Sequence, residues 1–330
     1  MEFLDLVLNI LSSGLPCCLL ALGIFLTYRL LDFADLTAEG SFLVSSALTG
    51  VMIYNGINPW IALICGVFAG ILCGFITGVL NRILRIPKLL SGIITMTASA
   101  SIAMVIMGLA SDSISPFRAE VSFGGFITKG SPQQTIYSLL YPWNEVAPGV
   151  FMPPNPTGDL IKVGVMAAVV IITMMAIYFF FGTQYGMAIR ATGMNERMAK
   201  AQGINPNITS IVCVSLANGL IGLAGALYVQ EAKTVSTISA TGYLVVGLAS
   251  IIVGEAIFGK RTFKNWLISV ALGSIVYFII VNLATRIGLP TELKSLLYAI
   301  LITIALCLPL IKSGIKKLIN VFKRRKAEAK

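Results

Sequence analysis

Apolar runs long enough to cross a bilayer recur along almost the whole chain, at 6–28, 57–81, 89–110, 161–181, 208–229, 242–258, 265–285 and 294–311. A helix rises about 1.5 Å per residue, so about 20 apolar residues are needed to span a hydrocarbon core near 30 Å thick. In lipid, backbone N–H and C=O groups must be satisfied within the protein, and runs of this length do so as helices. The expected fold is therefore all-α, a polytopic transmembrane helical bundle with eight or nine spans, forming one membrane domain over residues 1–330. The ambiguity lies in 41–54, SFLVSSALTGVMIY, which is apolar but short. It is either a short, tilted span or a broken, re-entrant helix.

Composition agrees with lipid as the solvent. The chain is 57% hydrophobic and 12% charged, with a mean hydropathy of +0.89, whereas soluble domains carry about 25% charged residues. The net charge of +10 sits in short clusters between apolar runs and in the tail Lys323-Arg324-Arg325-Lys326. That is the placement expected of cytoplasmic loops, and it offers no basic face for nucleic acid. The N-terminal Met1-Glu2-Phe3-Leu4-Asp5 lacks a positive leader, so the first apolar run reads as a retained span.

Cytoplasmic segments are expected at 29–40, 82–88, 182–207, 259–264 and 312–330, which hold most of the chain's 24 Lys and Arg and place the basic C-terminal tail inside. The N-terminus is outside if 41–54 crosses and inside if it is re-entrant. Residues 111–160, with seven prolines, read as a long external loop, either a plain connector or a partner-docking surface. In 182–207, Asn195 can cap a short helix over Glu196 to Gln202, and Gly203 suits its stop. Arg190, Arg197 and Lys200 stud this segment, while Met194 and Met198 supply apolar contact. A lone connector needs no such framed helix, so it reads as a docking element.

Several chemistries are excluded. The chain has no histidine, which removes Ser–His and Cys–His pairs and histidine-ligated metals. Its six cysteines fall in apolar runs and read as small buried hydrophobes, so no catalytic or metal site is expected. Gly254 to Lys260 has P-loop spacing, but Arg261 stands where Ser or Thr is needed and a span precedes it. Any ATP must be handled by another chain.

Gly66, Gly70, Gly74 and Gly78 form a flat stripe on one helix face, repeated in near-register by Gly219, Gly222 and Gly225. Such stripes let backbones approach within a bundle, or at a dimer seam. Ionisable groups inside the spans look scarce, and Glu255 is expected to pair at the interface with Lys260 or Arg261. Scarcity disfavours a proton-driven carrier and an intramembrane enzyme, and suits energy delivered mechanically from outside the bilayer. The acidic run Asp32, Asp35 and Glu39, with Phe33, Thr37 and Ser41, reads on chemistry alone as a solvated loop, with a solute-path lining as the alternative. Asn218, Asn282 and Thr285 read as interhelical hydrogen-bonding groups or solute contacts.

YFFFGTQYGMAIRATGMNERMAKAQGINPN resembles the coupling segment of ABC importer permeases of the branched-chain amino-acid and ribose type. LPCCLLALGIFLTYRLLDFADLTAEGSF, IPKLLSGIITMTASASI and YLVVGLASIIVGEAIFG resemble the first-span, middle and C-terminal regions of the same superfamily. Together they are most similar to a largely uncharacterised subgroup linked to a lipoprotein-type binding protein and assigned aromatic amino acids. The resemblance implies a homodimer of permeases in the bacterial inner membrane. It also implies an external binding protein and a separate ATPase that carries ATP and Mg. The ATPase would dock on 186–203, with Arg190, Asn195, Glu196, Arg197, Met198 and Lys200 in coupling. Phe33, Asp35, Thr37, Glu39, Ser41 and Asn218 would then border the solute path. No cofactor is expected on this chain.

Overall fold

The computed structural model describes residues 2–108, 120–122, 135–139, 144–147, 150–152, 157–232, 234–236, 242–286 and 303. The expected span at 294–311, the tail at 312–330 and most of the 111–160 loop lie outside the described residues.

Helix α1, Glu2–Phe25, runs into a π-helical turn at Leu26–Leu30. After a short link come α2, Thr37–Tyr54, α3, Pro59–Arg82, and α4, Lys88–Gly108. Short elements follow: β1, Glu120–Ser122, α5, Ile136–Leu139, β2, Asn144–Ala147, and β3, Val150–Met152. The chain continues with α6, Thr157–Phe180, α7, Gln184–Met194, α8, Glu196–Ala201, and α9, Pro206–Ala232. Strand β4, Thr234–Ser236, precedes α10, Tyr243–Phe258, and α11, Phe263–Arg286. Six of these helices are long and apolar enough to cross a membrane.

The local chemistry explains the boundaries. Asn58 caps α3 by accepting from Trp60 N at 3.0 Å, and Pro59 occupies the first helical position, where no N–H is needed. Helices α1 and α9 form the buried centre, while α3, α4 and α6 turn broad apolar faces outward, including Phe68, Leu72, Ile172 and Phe179. Outward apolar faces of this size are stable only against lipid.

The segment 41–54 is part of one unbroken helix, which is not among those six. Its helix α2 begins four residues earlier, at Thr37, and is buried on nearly all sides between α3, α4 and α9. Ser45 donates to Gly66 O at 2.8 Å and Thr49 to Ala62 O at 3.2 Å, so α2 and α3 run antiparallel along their length. Gly193 on α7 abuts Leu30 and Leu31, and Lys88 donates to Asp32 O at 3.0 Å. The C-terminal end of α1 therefore lies at the same end of the bundle as α7, α8 and the α3–α4 turn. The start of α1 lies at the opposite end.

The glycine stripe is consumed inside the bundle, in the extensive α3–α9 contact. A Cβ on Gly70 would run into the Asn218 carbonyl and Gly222 Cα, and one on Gly74 into the Val214 carbonyl. Gly66 faces Thr49 and Ala226, and Gly78 faces Ile211. Of the cysteines, Cys17, Cys18, Cys73 and Cys213 are buried, Cys65 is half-buried and all five are free thiols, while Cys307 lies outside the described residues. Part of the 111–160 loop is tied down: β1 pairs antiparallel with β4, and Ile136 N donates to Gln230 Oε1 at 3.1 Å.

Candidate functional site: a framed helix pair and a buried polar cluster

The segment 182–207 folds as two helices. Asn195 Oδ1 accepts from Met198 N at 3.1 Å, and Gly203, at φ +81°, ends the unit in the left-handed region. The preceding helix α7 goes beyond what the sequence pattern led one to expect. Its signal is Thr183, whose hydroxyl accepts from Gly186 N at 3.3 Å ahead of eleven residues free of proline.

The candidate coupling residues divide into two groups. Arg190 is half-buried, with its guanidinium 3.8 Å from the Phe263 ring centroid and 5.5 Å from that of Phe181. Desolvation lowers its pKa from the usual value, but a guanidinium remains charged. Glu196 binds Arg82 of α3, with Oε1 2.9 Å from Nη1. These two residues clamp α7 and α8 onto the bundle. Arg197, Met198 and Lys200 are exposed, as is Met194 at 89%. An apolar groove of about 510 Å³ lies between α7 and the start of α9, bordered by Tyr185, Ile189, Ile204, Ile208 and Val212. The helix pair is thus fixed on its bundle side and turns an apolar and cationic face outward.

The acidic run is not a solvated loop. Asp32 is exposed, at φ +49°, but Asp35 is 4% exposed and Thr37 and Ser41 are completely buried. Asn218 explains the burial. Its Nδ2 donates to Asp35 Oδ2 at 2.7 Å and to Val214 O at 3.0 Å, while its Oδ1 accepts from Ser41 Oγ at 2.6 Å. The second Asp35 oxygen accepts from Thr37 N at 2.9 Å, and the Thr37 hydroxyl meets that of Thr77 at 2.7 Å. The Thr77 hydroxyl also lies 3.1 Å from Cys73 O. Buried polar groups persist only when bonded in this way. Ionisable groups are thus not as scarce in the bundle as the sequence suggested.

Two path candidates stand apart from this cluster. Phe33 is buried with Lys88 Nζ 5.8 Å from its ring centroid. Glu39 accepts from Gly242 N at 2.9 Å, at the start of α10. Beside it Phe42 stacks on Tyr243 with centroids 4.4 Å apart, and Tyr228 lies 5.6 Å from Tyr243. Asn282 donates to Phe278 O at 2.9 Å within its own helix, and the Thr285 side chain lies outside the described residues.

Glu255 does not pair with Lys260 or Arg261. Its Oε2 binds Arg29 Nη2 at 2.6 Å and its Oε1 accepts from Trp266 Nε1 at 2.8 Å. Lys260 and Arg261 are exposed on the turn after α10, whereas the π turn after α1 delivers Arg29. Phe25 packs edge-on against Trp266 at 4.8 Å, so α1, α10 and α11 are knotted together at the α7–α8 end. Gly254, the first glycine of the rejected P-loop spacing, lies inside α10 against Ser269 and Gly273.

A helical bundle of apolar spans carrying a clamped surface helix pair is the architecture of a transport-system membrane subunit. Residues 6–306 match the family described as branched-chain amino acid transport system / permease component, and the chain belongs to it. It is 30% identical over 297 residues to a tyrosine transport system permease protein of Clostridioides difficile (strain R20291), covering 90% of this chain and 89% of that one. A galactofuranose transporter permease protein of Escherichia coli (strain K12) is 24% identical, covering 93% of this chain and 79% of that one. The ribose import permease protein of the same strain is 23% identical, covering 90% and 83%.

Proposed function

We propose that this chain is the permease subunit of an ABC importer in the bacterial inner membrane. In this reading it moves a small solute, foremost an aromatic amino acid, received from an external binding protein. The observation that carries the reading is the mounting of α8. It is capped by Asn195 and held to α3 through Glu196 and Arg82, and its exposed face offers Arg197, Met198 and Lys200 to a partner. A separate ATPase, holding ATP and Mg, docks on 186–203 and pushes this lever when it closes. The force passes through Arg82 to α3 and through Arg190 to α11. Two permease copies form the dimer, surrounded by lipid. The basic α7–α8 end faces the cytoplasm, with the C-terminus on the same side. The aromatic preference is supported by the tyrosine-system relative.

Affinity purification in mild detergent, with ATPase assay and uptake in reconstituted vesicles, tests the reading. Met198→Pro removes the N–H that Asn195 caps and drives Arg197 out of the helical region. The variant is expected to insert normally and to abolish uptake. Normal uptake would sink the coupling assignment.

A buried Asp35 favours a second reading, an ion-coupled secondary transporter. That reading requires uptake that survives loss of the ATPase and stops when the proton gradient collapses with ATP maintained. The importer continues when the gradient collapses with ATP maintained, and stops when the ATPase is lost.

A further inference from the structure

The turn between α3 and α4 borders a cavity of about 740 Å³ at the α7–α8 end of the bundle. Its wall is built from the last turn of α3, the first residues of α4, Lys200 on α8 and Asn207 at the start of α9. Arg82, Arg85, Lys88 and Lys200 line it, and no carboxylate does. Two of these cations are already engaged: Arg82 with Glu196, and Lys88 with the Asp32 carbonyl. Arg85 and Lys200 have no ion-pair partner among the described residues, and Arg82 Nε is buried without one. Arg82 apart, the cations of the cavity therefore have no carboxylate within ion-pair distance among the described residues. Arg85 sits at φ +58°, a left-handed conformation uncommon for a residue other than glycine.

The rim has the opposite chemistry. Ile83 and Leu84 are 63% and 60% exposed at the end of α3, and Leu89 and Leu90 are 55% and 48% exposed at the start of α4. They continue the outward apolar faces of two membrane-spanning helices straight into the cationic wall. A free anion has no use for such a rim, and an acidic protein segment would leave it bare. A phosphodiester with acyl chains satisfies both parts.

We infer that this cavity is a headgroup site for an anionic phospholipid. Arg85 and Lys200 hold the phosphate at the mouth, with Arg82 and Lys88 behind. The acyl chains lie on the exposed faces of α3 and α4. The bound lipid bridges the α3–α4 turn to α8, so it sits against the same lever that Glu196 anchors.

The full chain, purified in mild detergent with the subunits that accompany it, is equilibrated with phosphatidylglycerol or phosphatidylcholine and examined by native mass spectrometry. Phosphatidylglycerol is expected to be retained over phosphatidylcholine, with Arg85→Gln and Lys200→Gln each lowering retention about fivefold, the weight of one interfacial cation. Arg85→Lys keeps the charge and the lipid. Lys264→Gln removes an exposed cation outside the cavity and leaves retention unchanged. Equal retention of the two lipids, equal loss in all the Gln variants, or loss in Arg85→Lys as large as in Arg85→Gln overturns the proposal. Displacement of the lipid by inorganic phosphate overturns it in favour of a free-anion site. Expulsion of the lipid whenever an ATPase subunit is bound assigns the cavity to a protein contact instead.

Discussion

Glu196 Oε1 lies 2.9 Å from Arg82 Nη1, and this pair is the polar tie between α8 and the membrane-spanning helix α3. The Arg82 side chain is 12% exposed and that of Glu196 43%, so water screens one partner and barely reaches the other. Glu196→Gln is expected to lower stability by only about 0.2–1 kcal/mol, the range of half-exposed pairs. On the proposed reading its larger expected effect is on function, because a loosened α8 would no longer pass displacement to α3. ATP turnover should persist while uptake per ATP falls, and the reversed pair Arg82→Glu with Glu196→Arg should restore part of the ratio. An unchanged ratio in Glu196→Gln would place the transmission elsewhere.

The hydrogen-bond directions around Asn218 make a sharper prediction. Its amide donates to Asp35 and its carbonyl accepts from Ser41. Asn218→Asp is isosteric but sets two carboxylates face to face in a dry site, which costs several kcal/mol. Asn218→Leu removes the polar group and leaves the Asp35 carboxylate buried with one partner lost, again costing about 3–5 kcal/mol. The exchanged double variant, Asp35→Asn with Asn218→Asp, recovers a donor opposite an acceptor. Thermal unfolding in detergent should rank the double variant above Asn218→Asp alone. The reverse order would mean that the cluster does not hold the α1–α2 link.

Close approach at the glycine stripe predicts a contrast between two conservative changes. Gly70→Ala drives a methyl group into the Asn218 carbonyl and Gly222, and overpacking of this kind costs about 1–3 kcal/mol. Gly164, on α6, has nothing within 4 Å of a built Cβ. There the same change gains helix propensity, about 0.5–1 kcal/mol. Melting temperatures measured side by side should move in opposite directions.

Features set by neighbours along the chain are legible in the sequence itself. The four-residue glycine spacing announces a close helix contact, and Asn195 with Gly203 announces the bounds of α8. Asp35 reads wrongly as solvated because its decisive partner, Asn218, lies 183 residues away, and no local pattern reports such a partner. Glu255 misleads for the opposite reason. Two cations stand close in sequence, yet its partner Arg29 is 226 residues away. The length of α2 is hidden by polar residues at its start, which look like a loop until their bonds to α3 and α9 are seen. The match to a family of permeases is legible because α8 and its frame are local sequence features.

Arg29 and Glu255 offer the last test, at the end of the bundle where α7 and α8 sit. Their side chains are 30% and 11% exposed, and the carboxylate also accepts from Trp266. Glu255→Gln keeps an oxygen for Trp266 and removes only the charge, whereas Glu255→Leu strands both the guanidinium and the indole N–H. The leucine variant should therefore be the less stable of the two, even though it is the more apolar. A double-mutant cycle with Arg29→Gln isolates the charge contribution, and a coupling of about 1 kcal/mol is expected for a pair with one partner partly hydrated. Coupling near zero would mean that the aromatic packing of Phe25 on Trp266, rather than the ion pair, joins α1 to α10 and α11. In that case Trp266→Leu should destabilise the bundle far more than Glu255→Gln does.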